Sequence, residues 1–96
     1  MSTSTGTPRR VLITGSARRI GRSLALDFAD QGWDVAVHYH SSRDAADELA
    51  ADIRSRGVSA AALPCDLSDT DAVLTLVDRA AEALGPITCL VNNASE

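Results

Sequence analysis

Arg10-Val11-Leu12-Ile13-Thr14-Gly15-Ser16-Ala17-Arg18-Arg19-Ile20-Gly21-Arg22 is the stretch on which the reading of this chain turns. Residues 10–14 form a short apolar run, too short for a helix and ended by glycine. Such a run reads as a strand buried on both faces. Gly15 permits a tight turn, and Gly21 permits a helix to pack closely on the strand. From Ile20 the apolar residues Leu24, Leu26, Phe28 and Ala29 trace an imperfect helical stripe that stops at Gly32. A strand, turn and helix in this order aim backbone N–H groups and the positive end of a helix dipole at one point, which suits a phosphate.

The rest of the chain repeats the alternation. Residues 33–39 (WDVAVHY) predict a second strand. Ser41 or Ser42 can cap the helix predicted over 44–56, whose face carries Ala45, Leu49 and Ile53 and whose stop is Gly57. Residues 58–63 predict a third strand. Ser68 and Asp71 resemble a capping box, with Asp in the usual Glu position. The helix they open carries Val73, Leu74, Leu76, Val77, Ala80, Ala81 and Leu84 and ends at Gly85-Pro86. Residues 87–91 predict a fourth strand, and Asn92-Asn93-Ala94-Ser95 begins a loop. Short apolar strands joined by helices make parallel sheets with right-handed crossovers. The expected fold class is therefore α/β: the N-terminal half of a Rossmann-type doubly wound parallel sheet, β-α-β-α-β-α-β, in strand order 3-2-1-4. Ligands of such sheets bind at the carboxyl ends of the strands, where every notable polar cluster of this chain falls.

Bulk properties narrow the function classes. Ninety-six residues allow one domain, taken here as 9–96 behind a disordered tail at 1–8. A net charge of −4 disfavours nucleic acid or an anionic membrane as the general partner. Yet Arg9, Arg10, Arg18, Arg19 and Arg22 crowd around the glycine turn, a local positive site in an acidic chain. Cys65 and Cys89 lack the spacing of a metal site or a CxxC pair and read as reduced core thiols of a cytoplasmic protein. The N-terminus has no signal-peptide core, and no apolar run approaches the ~20 residues of a membrane span.

TGSARRIG at 14–21, followed by NNAS at 92–95, resembles the short-chain dehydrogenase/reductase family over roughly residues 9–95. Arg19 stands in the slot of that family's middle glycine. With HYHSS at 38–42 and NNAS, this looks like the pteridine reductase branch. The resemblance implies Gly15, Ser16, Arg18, Ile20 and Gly21 on the pyrophosphate side, with Arg19 near both cofactor and substrate. After the second strand, His38, Tyr39, His40, Ser41, Ser42 and Arg43 occupy the region where an NAD-specific site places an acidic residue. Imidazoles, hydroxyls and an arginine are donors for a 2′-phosphate, so the expected cofactor is NADP(H). The same serines also serve as plain helix caps. Asp66 can accept from the adenine amine with Leu67 covering a ring face, or be part of an ordinary cap. Asn93 and Ala94 are expected at the cofactor ribose and Ser95 at cofactor and substrate, the alternative being a simple turn.

The resemblance places hydride-transfer chemistry on a Ser, a Tyr-x-x-x-Lys pair and an Asn, all later than the fourth strand. This chain has no lysine, and its one tyrosine is Tyr39. It therefore reads as the cofactor-binding portion of a longer NADP(H)-dependent oxidoreductase reducing a C=O or C=N bond, incomplete at its C-terminus and inactive alone. A pteridine-like small-molecule substrate fits this reading, and the resemblance implies a homo-oligomer, tetramer or dimer, for the full-length form. No catalytic or metal-ligating residue is assigned. The other reading is a stand-alone dinucleotide-binding or regulatory module without chemistry.

Overall fold

A computed structural model describes residues 9–17, 19–68 and 70–93. The tail expected at 1–8 lies outside the described residues, as do Arg18, Asp69, Ala94, Ser95 and Glu96. The elements are β1 (Arg10–Ile13), α1 (Arg19–Asp30), β2 (Asp34–Tyr39), α2 (Arg43–Arg54), β3 (Ala60–Pro64), α3 (Thr70–Leu84) and β4 (Cys89–Val91). All pairings are parallel, and the sheet order is β3-β2-β1-β4, as the alternation requires. Val11 pairs with Val35 on one side and Cys89 on the other, so β1 is a central strand. That position explains its unbroken apolar run: Val11, Leu12 and Ile13 are all fully buried.

Alternation along β1 and β2 supplies two core faces. Val11, Ile13, Val35 and Val37 pack under α1 and α2 with Leu49 and Ile53. Leu12 and Ala36 point to the other face, where α3 covers them with Leu76 and Ala80. Of the expected stripe of α1, Ala29 is buried and Leu24, Leu26 and Phe28 pack partly buried against the core, whereas the fully buried face is a row of small residues. It is Gly21, Ala25 and Ala29, spaced four apart, while Ile20 is 70% exposed. Small residues at this spacing let the helix axis lie close to the sheet. Leu74 on α3 is likewise exposed. Phe28 and Trp33 pack edge to face, centroids 5.1 Å apart, at the α1–β2 junction.

Ion pairs at the surface brace the helices. Arg22 of α1 reaches Asp52 of α2 at 3.7 Å, and Arg56 bridges Asp30 at 2.6 Å and Asp52 at 3.3 Å. Cys65 and Cys89 are free thiols, half-buried rather than buried. The helix α3 begins at Thr70, so Ser68 stands two residues before it. The Ser68 backbone N–H bonds the Asp66 carboxylate at 3.0 Å in a local turn.

Gly21 is where the helix meets the turn. A Cβ at that position would lie 2.5 Å from the Gly15 carbonyl oxygen and 2.7 Å from Ser16 Cα. Both obstacles are backbone, so Gly21→Ala forces α1 away from the turn and costs about 1–3 kcal/mol. Leu76→Ala opens a cavity in a face covered by one helix and costs about 2–5 kcal/mol. Leu74→Ala on the same helix stays within about 0.5 kcal/mol, because that side chain is exposed. Urea unfolding of the three variants reads these differences as midpoint shifts.

Candidate functional site

The carboxyl ends of β1, β2, β3 and β4 converge on the glycine turn. Its first donors are spent inside the protein. The Thr14 N–H bonds Val91 O at 3.0 Å, and the Ser16 N–H bonds His38 O at 3.1 Å. Between them the Gly15 N–H donates to His38 Nδ1 at 2.8 Å. Ser16 is fully buried, with its hydroxyl turned toward His38 O. Gly15 and Ser16 thus shape the turn, with Gly15 at φ +62°. Donors open to a ligand begin further on, at the start of α1, whose first N–H groups have no partner within the helix.

Arg19 opens that helix in the left-handed region, at φ +55°. The slot is one where glycine relieves strain, and a side chain there costs of order 1 kcal/mol or more. Arg19 and Ile20 are exposed at the turn, and Gly21 is buried against it. The other arginines near the turn are committed elsewhere. Arg9 donates to Gln31 O at 3.2 Å, Arg10 lies 3.8 Å from Asp34, and Arg22 holds Asp52. Arg18 lies outside the described residues. Arg19 is the remaining described guanidinium of the group, with no ion pair among the described residues.

β4 is tied to the turn by its own asparagines. The Asn93 N–H donates to Thr14 Oγ1 at 2.9 Å, and its amide donates to Gly15 O at 3.3 Å. Thr14 Oγ1 in turn donates to Asn92 Oδ1 at 3.2 Å. Thr14, only 2% exposed, is a structural part of the site that the sequence reading passed over. Its signal was available: a hydroxyl directly before the turn glycine. Ala94 and Ser95 lie outside the described residues.

Beside the turn is a cavity of about 480 Å³ lined by His38, His40, Cys65, Asp66, Leu67, Ser68, Val73 and Asn92. It brings the ends of β2 and β3 together with Asp66 and Leu67, and with Cys65 and Val73, which the sequence offered only as a core thiol and a helix-face residue. The Asp66 carboxyl is held below the ordinary carboxylate range, first by the Ser68 backbone N–H, then by the Ser68 hydroxyl; burial opposes the shift and His40 adds to it. Because the folded value is the lower one, this turn contributes stability above the unfolded pKa. The contribution is lost as pH falls through the folded value.

The HYHSSR segment divides. His38 is 2% exposed and held by both ring nitrogens, the second through Cys65 O at 2.8 Å. Tyr39 packs in the α1–α2 core at 8% exposure. His40 and Ser41 are exposed, and Ser42 is half-buried at the N-cap of α2. The Ser42 side chain makes no capping hydrogen bond. Arg43 lies along its own helix, 3.7 Å from Asp47. Among the described residues no His, Cys, Asp and Glu group has the geometry to hold a metal ion, and no helix is long and apolar enough to cross a membrane.

Comparison with known proteins gives this arrangement a family. Residues 9–96 match the family model described as short chain dehydrogenase. The chain is 36% identical over 86 residues to 3-oxoacyl-[acyl-carrier-protein] reductase FabG of Staphylococcus aureus, covering 90% of this chain and 35% of that protein. It therefore spans about a third of the length of such curated relatives. Among solved structures it resembles FolM alternative dihydrofolate reductase 1 from Brucella canis complexed with NADP, at 41% identity and a TM-score of 0.85. That alignment covers 92% of this chain and 35% of the other. A short chain dehydrogenase from Burkholderia cenocepacia in complex with NADP is similar at 42% identity and a TM-score of 0.88, covering 92% and 36% of the two chains. A parallel sheet in 3-2-1-4 order, a glycine turn closed on its own helix and a match from residue 9 to residue 96 agree: the chain belongs to the short-chain dehydrogenase family.

Proposed function

We propose that this chain is the NADP(H)-binding portion of an oxidoreductase that reduces a C=O or C=N bond. The observation that carries the proposal is the carboxyl edge of β2. An NAD-specific site sets an acidic residue there. Here His40, Ser41 and Ser42 fill the segment, and the Ser42 hydroxyl is not consumed in capping α2. The plain structural role of that serine is thus absent, while a hydroxyl and an imidazole remain as donors for a 2′-phosphate.

The residues fit a dinucleotide along the strand ends. The start of α1, with Ile20 and Gly21, offers backbone donors and a positive dipole end to the pyrophosphate. Gly21 lets the backbone close up beneath it, as the 2.5 Å approach of a Cβ shows. The cavity between β2 and β3 takes the adenine, with Leu67 against a ring face and Asp66 ionised to accept from the amine. Asn93 and Ala94 serve the ribose, and Arg18 and Ser95 complete the phosphate and nicotinamide sides. His38 and Tyr39 back the site from within. The chemistry such a cofactor supplies when bound is a hydride. The proton that completes a reduction comes from outside these residues, since the chain has no lysine and Tyr39 is buried. The chain alone is proposed to bind and not to turn over.

The finer substrate reading is a pteridine-like ring. Support comes from Arg19 in the middle-glycine slot and from likeness to a protein named as an alternative dihydrofolate reductase. Likeness to an oxoacyl reductase keeps C=O reduction within the same proposal. Small-molecule substrates, a cytoplasmic location and a homo-oligomeric full-length form belong to this reading.

Titration of protein fluorescence is expected to give a Kd for NADPH at least about tenfold below that for NADH, the scale of a charge-assisted contact. Ser42→Asp puts a carboxylate at the 2′ position and erases that preference. Equal affinities in the unaltered protein would reject the 2′-phosphate assignment. Arg19→Gly removes left-handed strain of about 1 kcal/mol, so the unfolding midpoint does not fall. The same variant weakens NADPH several-fold through the lost guanidinium.

A further inference from the structure

His38 stands on the α3 face of the sheet, next to the turn, and shows the cavity only a sliver of its ring: it is 2% exposed. Its two ring nitrogens meet partners of opposite kind. The Gly15 backbone N–H can only donate, and it points at Nδ1 from 2.8 Å. The Cys65 carbonyl can only accept, and it lies 2.8 Å from Nε2. One protonation state satisfies both: a neutral ring with its proton on Nε2. The ring therefore spans rigidly from the phosphate turn to the end of β3.

The two ends of this span are not equally dependent on it. The Cys65–Ser68 loop has its own ties. The Cys65 N–H bonds Tyr39 O at 3.0 Å, the Ser68 N–H bonds Asp66 at 3.0 Å, and Arg79 holds Pro64 O at 2.7 Å. On the turn, the Gly15 N–H meets only the imidazole among the described residues. Without that acceptor, a donor in a part-buried site is left unmatched, and Gly15 keeps the bond its carbonyl accepts from the Asn93 amide at 3.3 Å. The Gly15 carbonyl is the oxygen against which Gly21 packs. A shift of Gly15 toward another partner therefore reaches the start of α1.

We propose that His38 is a positioning residue for the cofactor. As a neutral Nε2–H strut between Gly15 and Cys65, it holds the turn in the shape that presents the α1 donors to a pyrophosphate. This rests on the NADP(H) reading above. It assigns His38 a role through Gly15 rather than through contact with the 2′-phosphate.

The test uses three substitutions and two ligands. His38→Leu removes both bonds. His38→Asn keeps an acceptor in the place of Nδ1, because Asn Oδ1 is attached to Cγ as Nδ1 is. His38→Gln reaches the Nε2 place and leaves Gly15 unmatched. NADPH carries the pyrophosphate, whereas adenosine 2′-monophosphate lacks it and probes the adenine side. The expected result is NADPH binding about tenfold weaker in the Leu and Gln variants, the scale of a buried donor without a partner, with most of the loss recovered in the Asn variant. Adenosine 2′-monophosphate should change less than about twofold throughout, since its loop is held independently. Equal losses for both ligands, or no recovery in the Asn variant, would overturn the proposal and leave His38 as packing. Should a variant not fold, histidine nitrogen NMR of the unaltered protein at neutral pH decides. An Nε2–H tautomer is expected, and an Nδ1–H ring or an imidazolium overturns the strut. If the unaltered protein binds NADPH while all variants match it, only this proposal falls. If the unaltered protein binds neither NADPH nor NADH, the cofactor reading falls and this one with it.

Discussion

The approach of α1 to the glycine turn is the constraint on which the rest of the structure depends. Gly21 sits so close to the Gly15 carbonyl and Ser16 Cα that no side chain fits between them. Closeness there fixes the depth at which α1 lies on the sheet, which in turn selects Ala25 and Ala29 for its buried face. It also fixes where the amino end of the helix points. The dipole and the unpaired N–H groups of a first turn act over short range, so a site built on them tolerates little displacement. In the proposed site, packing and function are one requirement at this residue.

Polar bonds then hold the turn from both flanks. Val91 and Asn93 of the β4 end take hold of Thr14 and Gly15 on one side, and His38 of β2 takes hold of Gly15 and Ser16 on the other. The N–H groups of Thr14, Gly15 and Ser16 each find a partner, as a low-dielectric site demands. The same accounting governs charge. In a chain of net charge −4, the basic cluster near the turn is mostly drawn into bracing α1, α2 and the strand starts. Arg19 is left outward, at a backbone conformation that arginine adopts only at a cost.

Most of the fold was legible in the sequence. Apolar periodicity of about two or 3.6 residues is a local property, and glycine stops and short loops bound each segment. The strand order followed because parallel crossovers leave few alternatives. The turn, the lack of an acid after β2 and the Asp66 loop were legible for the same reason: each is a short pattern whose chemistry is carried by neighbouring residues. Misread details share the opposite character. The exposure of Ile20 and of Leu74 depends on which element lies opposite, and that is not written in any one segment.

By itself the sequence determined the α/β alternation, the parallel 3-2-1-4 sheet and the place of the phosphate-suited turn, because these follow from residue type and spacing along the chain. Tertiary structure alone decided how the polar groups of that turn are spent. His38 is separated from Gly15 by 23 positions and from Cys65 by 27, and only the register of β1, β2 and β3 brings the three together. Ser42, legible as a cap, leaves its hydroxyl unused by the helix because its side chain does not turn back onto the backbone. A hydrogen bond is a matter of distance and direction across the fold, and one-dimensional spacing carries neither.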